Sequence, residues 1–234
     1  MSVPKTTSLA STRVIVPTRR HRVTHGEAAA ILATRDPVLA SLIAAAGPIR
    51  FRRSKLSPFA ALVQATVYQQ LAGAAANAIH GRLVVALDEQ VEPERLLALS
   101  DQALRSVGVS GNKARSLRDL ASKALDGTVV LSPRGLSRES DAEVIDQLRT
   151  VRGIGPWTAQ MFLIFQLRRL DVWPVLDFGV RHGYGLAWKT ETPTARQLEP
   201  LGDRFRPYRS VVAWYCWRAV ELDAGAIESA LSGL

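Results

Sequence analysis

Within residues 148–181, LRTVRGIGPWTAQMFLIFQLRRLDVWPVLDFGVR, three features could do chemistry: a Gly-x-Gly turn at Gly153 and Gly155, an indole at Trp157 and a lone carboxylate at Asp177. Glycines at a turn let a phosphate oxygen approach backbone N–H groups at a helix start, whatever the nucleotide sequence. An aromatic face stacks on a base, and a carboxylate stabilises positive charge as it develops. Together they point to a protein that holds nucleic acid and acts on a base taken out of the stack. When a base leaves deoxyribose, the sugar passes through an oxocarbenium-like state. A carboxylate near C1′ stabilises that state and can position or deprotonate the attacking water. A base alkylated on a ring nitrogen is already cationic and leaves readily, so one Asp suffices. Asp177 also fits an ordinary N-cap for a helix starting at Phe178. Beside a phosphate backbone, however, a carboxylate adds repulsion, which gives it a reason to face developing positive charge.

The elements that must position these groups read as helices. Ser140-Asp141-Ala142-Glu143 is a capping box, so a helix carries Val144, Ile145 and Leu148 inward and stops at the glycine turn. Pro156 then occupies the first position of the next helix, whose Met161, Phe162, Ile164 and Phe165 bury one side. Helix, glycine hairpin, helix is thus expected over about 141–166. Upstream, residues 27–46 read as helical with a break or kink near Pro37, and residues 49–56 as a basic linker. Ser57-Pro58 opens a helix with Phe59, Leu62, Val63 and Val67 on its apolar face. That helix runs into Gln69-Gln70, polar where the pattern calls for apolar residues.

Gly108 to Lys113, with Asn112 at its end, has the shape of a small phosphate-contacting turn. Lys113, Arg115 and Arg118 follow it at a helix start, where basic side chains oppose the dipole and a partner would explain them. Residues 129–131 allow an extended segment; Thr194 to Gln197 reads as another cap, and Pro207 as the start of a last long helix. About ten helices and no convincing sheet predict an all-α fold.

The 234 residues suffice for one large or two small domains, and 47% hydrophobic with 22% charged residues marks a globular chain. Thirty Lys and Arg against 21 Asp and Glu leave a formal charge of +9, which favours polyanions. A single cysteine, Cys216, excludes an internal disulfide and any four-cysteine iron–sulfur or zinc site, and suits a reducing cytoplasm. No apolar run reaches membrane-spanning length. Residues 1–26, basic and rich in Ser, Thr and Pro, are expected to form a mobile arm.

GIGPWTAQMFLIF followed by Asp177 resembles the helix-hairpin-helix (HhH-GPD) DNA glycosylase superfamily, most closely its 3-methyladenine DNA glycosylase II family. YQQLAGAAANAI, VSGNKARSLRDLA and FRPYRSVVAWYCW extend the likeness over about 28–222. It implies two helical subdomains with the active site in the cleft between them: 57–166, and 27–56 joined by 167–234. At this length, the extra N-terminal β-domain of some relatives is not expected.

In that family Asp177 is the catalytic aspartate, and Trp157 stands where lyase members carry a Schiff-base lysine. The resemblance therefore implies a monofunctional base excision repair enzyme that releases alkylated purines from double-stranded DNA and leaves an abasic site. Trp157 and Trp217 would line the base pocket, with Met161 where some relatives have tyrosine. Leu176, in place of an acidic residue, makes a drier neighbour for Asp177. Gln70 would wedge into the gap left by the flipped nucleotide, with Gln69 beside it; Asn112, Lys113, Gly153, Gly155 and Thr158 would also contact DNA. Backbone carbonyls of Arg149, Val151 and Ile154 match a structural Na+ or K+ site, and no other cofactor is expected. A monomer is expected, cytoplasmic and nucleoid-associated in a bacterium or nuclear in a eukaryote. Two alternatives stay open: a non-catalytic binder of damaged DNA, and a glycosylase for a neutral base such as hypoxanthine or uracil. The latter needs a leaving-group donor, for which His80 and His182 are candidates in name only.

Overall fold

The structure, a computed structural model, describes residues 23–51 and 54–232. The basic arm expected at 1–26 therefore lies almost wholly outside the described residues. Its last residues already belong to the fold: Thr24 and Glu27 form a capping box, and α1 (His25–Arg35) starts two residues before Glu27. The break expected near Pro37 is a helix boundary. Asp36 takes an extended conformation, and its side chain accepts from the N–H groups of Val38 and Leu39 to start α2 (Pro37–Ala46).

Local capping sets most of the remaining boundaries. Ser57 and Pro58 start α3 (Pro58–Tyr68), followed by α4 (Gly73–Ala86), α5 (Pro93–Ala98) and α6 (Asp101–Ser106). Ser110 caps α7 (Gly111–Leu125), and α8 (Pro133–Leu136) is a single turn. The Ser140 capping box starts α9 (Asp141–Arg149); the glycine hairpin leads to α10 (Pro156–Met161), which passes into a π-helical turn, Phe162–Gln166. Asp177 caps α11 (Phe178–Trp188), and Thr194 with Gln197 caps α12 (Ala195–Leu201). After a 3₁₀ turn, Asp203–Phe205, the described residues end with α13 (Arg209–Ser232). The helix expected from Pro207 thus begins at Arg209. Residues 129–131 form no strand, and the described residues are all-α as expected, with more and shorter helices than the sequence pattern resolves.

Two hydrophobic cores divide the helices. One runs from Phe59 to Val172 and contains the fully buried Leu62, Val63, Leu117, Leu120 and Leu163. The other joins the N-terminal helices to the C-terminal part through Leu32, Leu39, Val180, Val211 and Tyr215. Each such side chain contributes roughly 1.5–3 kcal/mol by leaving water. The second crossing between cores falls at Val172 and Trp173, later than the 166/167 boundary read from the sequence. Trp173 is core itself, its indole N–H on the Leu198 carbonyl. In the second core α11 and α13 meet backbone to backbone: a Cβ on Gly183 would lie 1.9 Å from the Cys216 carbonyl oxygen. Trp217, one residue on, packs against both cores.

Candidate active site

Asp177 sits at the junction of the two cores, and its carboxylate is held from three directions. Its Oδ1 accepts from the Val180 N–H at 2.8 Å, the helix-cap bond, and from the Trp217 indole N–H at 2.9 Å. Its Oδ2 accepts from the Trp157 indole N–H at 2.7 Å. The half-buried carboxylate therefore caps α11 and binds two indoles at once. Oδ1 is filled by two donors, while Oδ2, with one, keeps acceptor capacity for a water or a cationic sugar. Trp157 comes from α10 and Trp217 from α13, so both lobes fix the carboxylate's direction. Trp217 is in turn stacked on Phe165, with ring centroids 5.5 Å apart. This closeness depends on Gly179, where a Cβ would lie 2.8 Å from Trp217 Cδ1 and 3.1 Å from Asp177 Oδ1.

The hairpin that precedes Trp157 is propped from behind by α7. Gly153 takes φ +77°, a backbone conformation that favours glycine, and a Cβ there would also meet the Ser116 hydroxyl at 2.7 Å. The Arg152 N–H donates to Asp119 at 2.7 Å, and the Lys123 ammonium joins Asp119 to the Thr150 carbonyl. Burial pushes the Asp119 carboxyl up, but the bonds from the Arg152 N–H and Lys123 outweigh it and hold the carboxyl below the usual carboxylate range. Gly155 begins α10 with open space on its Cα, as an approaching phosphate requires.

Several residues expected to contact DNA have other partners. Lys113 does not face outward: its ammonium donates to the carbonyls of Val67 and Gln69, capping the C-terminus of α3, where a cation suits the helix dipole. Burial there lowers the Lys113 amine below the usual lysine value. Gln69 spans to the hairpin, its side-chain amide donating to the Gly153 carbonyl at 3.1 Å and the Thr158 hydroxyl at 3.2 Å. Thr158 is buried, so its side chain serves that strut. Gln70, by contrast, is exposed and projects at φ +57°, strained for a residue with a Cβ. Asn112 is exposed and bonded to Arg115. Leu176 is 56% exposed, so it does not close over Asp177 as a dry wall. Phe178, 64% exposed on the other side of Asp177, stacks with His182 at 5.6 Å.

A cleft of about 510 Å³ opens between Trp157, Thr158, Met161 and Gly153 on one side and Ala65, Tyr68, Gln69 and Gln70 on the other. A second, more apolar cavity of about 330 Å³ shares Ala65, Tyr68 and Met161 with it and continues to Phe165. Gln69, the exposed Gln70, the hairpin's Gly153 and the Trp157 indole thus border one cleft, and Asp177 lies one hydrogen bond behind Trp157. Sequence reasoning missed Gly179, Asp119 and Ser116, whose partners lie far along the chain. Among the described residues, no cluster of three or more His, Cys, Asp or Glu is placed to hold a metal ion, and no helix is long and apolar enough to cross a membrane.

Comparison with known proteins places the fold in a family. Residues 63–207 match the HhH-GPD superfamily of base excision DNA repair proteins. DNA-3-methyladenine glycosylase 1 of Schizosaccharomyces pombe is 32% identical over 186 residues, 77% of this chain and 81% of that one. The solved structure of an S. pombe 3-methyladenine DNA glycosylase in complex with abasic DNA superimposes with TM-score 0.72 at 30% identity, covering 82% of this chain and 95% of the other. A DNA-3-methyladenine glycosidase from Bacillus halodurans superimposes with TM-score 0.75 at 34% identity, covering 83% and 89%. The chain belongs to the HhH-GPD superfamily of base excision DNA repair proteins.

Proposed function

We propose that this protein is a monofunctional DNA glycosylase that flips alkylated purines such as 3-methyladenine and 7-methylguanine out of duplex DNA and hydrolyses their N-glycosidic bonds. The observation that carries the reading is the carboxylate of Asp177, held by two indole N–H groups, one of them from Trp157, which itself lines an aromatic and apolar cleft. The hairpin takes the strand by its phosphate, and Gln70 fills the space the nucleotide leaves. The cationic base stacks in the cleft and departs as Asp177 Oδ2 faces the charge forming at C1′. The same oxygen holds or deprotonates the attacking water. An indole cannot form a Schiff base, so Trp157 supports base release without strand cutting.

An alkali ion on the hairpin carbonyls belongs to the same proposal. Arg149, Val151 and Ile154 would supply only neutral carbonyl oxygens, hard donors that suit Na+ or K+. The ion would add positive charge where the phosphate docks, next to the Thr150 carbonyl that already takes the Lys123 ammonium. Incubation of the protein with methylated genomic DNA, followed by mass spectrometry of the released bases and a gel for strand breaks, tests the activity. Release of 3-methyladenine and 7-methylguanine with intact abasic strands is expected. Tight binding of alkylated duplex with no base released would instead establish a non-catalytic binder.

A further inference from the structure

The inner cavity of about 330 Å³ is built by two helical faces. On α3 the residues that line it are Ala61, Gln64, Ala65 and Tyr68, spaced i, i+3, i+4 and i+7 and therefore one stripe, opposite the core stripe of Leu62, Val63 and Val67. Two alanines on that stripe leave room for a planar ring. Facing them, Met161 and Phe165 continue the line begun by Trp157 at the carboxylate. The π-helical turn Phe162–Gln166 falls on this line, and with it Phe165 stands 44% exposed in the cleft and stacked on Trp217. Asp177 reaches this space only through its indole partners, Trp157 lining the adjoining cleft and Trp217 stacked on Phe165, so a base held with its glycosidic nitrogen at Asp177 would point its far edge toward Met161 and Ala65.

Polar groups are few at the inner end, and most are engaged. The Tyr68 hydroxyl bonds Asn77, the Gln166 amide donates to the Leu56 carbonyl at 2.9 Å, and the Ser54 hydroxyl accepts from the Leu56 N–H. Among the described residues Gln64 makes no hydrogen bond, although it is half-buried and lines this cavity. A carboxamide with both its donor and its acceptor unengaged is matched to the far edge of a purine. Adenine offers an N–H donor beside a ring acceptor, and guanine a carbonyl acceptor beside a ring N–H, and one amide can pair with either.

We infer that Gln64 is a specificity-determining residue that reads the leading edge of the flipped purine in this inner cavity. The inference rests on the proposed glycosylase activity. It makes a signed prediction, because guanine also carries two adjacent donors, N1–H and N2–H, whereas the adenine edge carries one donor and one acceptor. A carboxylate in place of the amide therefore accepts twice from 7-methylguanine and is repelled by the ring acceptor of 3-methyladenine.

The test is single-turnover release of both bases from one methylated duplex by the wild type, Gln64→Glu and Gln64→Leu, with the thermal midpoint of each. Relative to wild type, Gln64→Glu should raise the ratio of 7-methylguanine to 3-methyladenine release by about tenfold or more, and Gln64→Leu should slow both by about tenfold or more. Because the first readout is a ratio within one sample, partial unfolding or a general electrostatic slowing leaves it unmoved. A ratio within twofold of wild type in Gln64→Glu, or wild-type rates in Gln64→Leu, overturns the inference while leaving the glycosylase reading intact. No release of either base by the wild type removes both.

Discussion

Gly179→Ala is expected to remove activity while sparing the fold, and the structure supplies its magnitude. The new methyl would lie 2.8 Å from Trp217 Cδ1, 3.1 Å from Trp217 Nε1 and 3.1 Å from Asp177 Oδ1. Trp217 cannot slide aside freely, since it is stacked on Phe165, so the carboxylate and the indole must move apart. Losing a charge-assisted hydrogen bond costs about 1.5–3 kcal/mol, and replacing glycine near the start of α11 returns up to about 1 kcal/mol of helix propensity. The net loss of stability is therefore about 0.5–3 kcal/mol. Displacing Asp177 on the order of 1 Å from its line to C1′ is worth roughly a hundredfold in rate. Urea unfolding and single-turnover base release measure the two effects, and Trp217→Phe serves as the comparator that loses the N–H without adding bulk. Release by Gly179→Ala within twofold of wild type would refute the claim that this glycine keeps the carboxylate aimed.

Three further perturbations address the scaffold of the cleft. Asp119→Asn should cost about 1–2 kcal/mol at neutral pH by loosening the hairpin's tie to α7. Because the folded carboxyl is depressed, its stabilisation is present above the unfolded carboxyl value and is lost as pH falls through the folded one, so the difference from wild type in urea unfolding should shrink toward zero in acid. Lys113→Met should destabilise the α3–α4 turn and speed hydrogen exchange at the Leu71 N–H, which bonds the Tyr68 carbonyl, yet leave the salt dependence of DNA binding unchanged. A slope lower by about one would mean that the lysine meets phosphate instead. Gly183→Ala drives a Cβ into the Cys216 backbone, where neither helix can yield, and should lower stability by about 3 kcal/mol or more in thermal unfolding.

These positions also mark where sequence reasoning ends. Ser57 with Pro58, Ser140 with Glu143, and Thr194 with Gln197 act within one turn of themselves, so residue type and spacing disclose the helices they start. The hairpin and the cap that Asp177 gives α11 were legible for the same reason. The bonds of Lys113 to the end of α3 were not legible because its partners lie 46 and 44 residues earlier; a lysine at a helix start looks outward until the end of α3 is seen beneath it. Gln69 reaches the hairpin across 84 residues, and Asp119 reaches it across 33. Gly179 looked like any glycine near a helix start, since its requirement comes from an indole on α13. Leu176 adjoins Asp177 in sequence, but the chain enters α11 with that side chain toward solvent. The empty face of α3 was invisible for a different reason: Ala61 and Ala65 are ordinary helix formers, and only the opposing Met161 and Phe165 turn the space above them into a cavity.

The most direct test of the central claim is base release by Asp177→Asn. Asparagine caps a helix as well as aspartate, so the fold and the hairpin should persist. In a single-turnover assay on duplex DNA carrying 7-methylguanine, with abasic-site duplex binding measured in parallel, the variant should lose base release by about a thousandfold or more and still bind the abasic duplex. A variant that releases the base at the wild-type rate would contradict the assignment of Asp177 as the group that meets the sugar's charge.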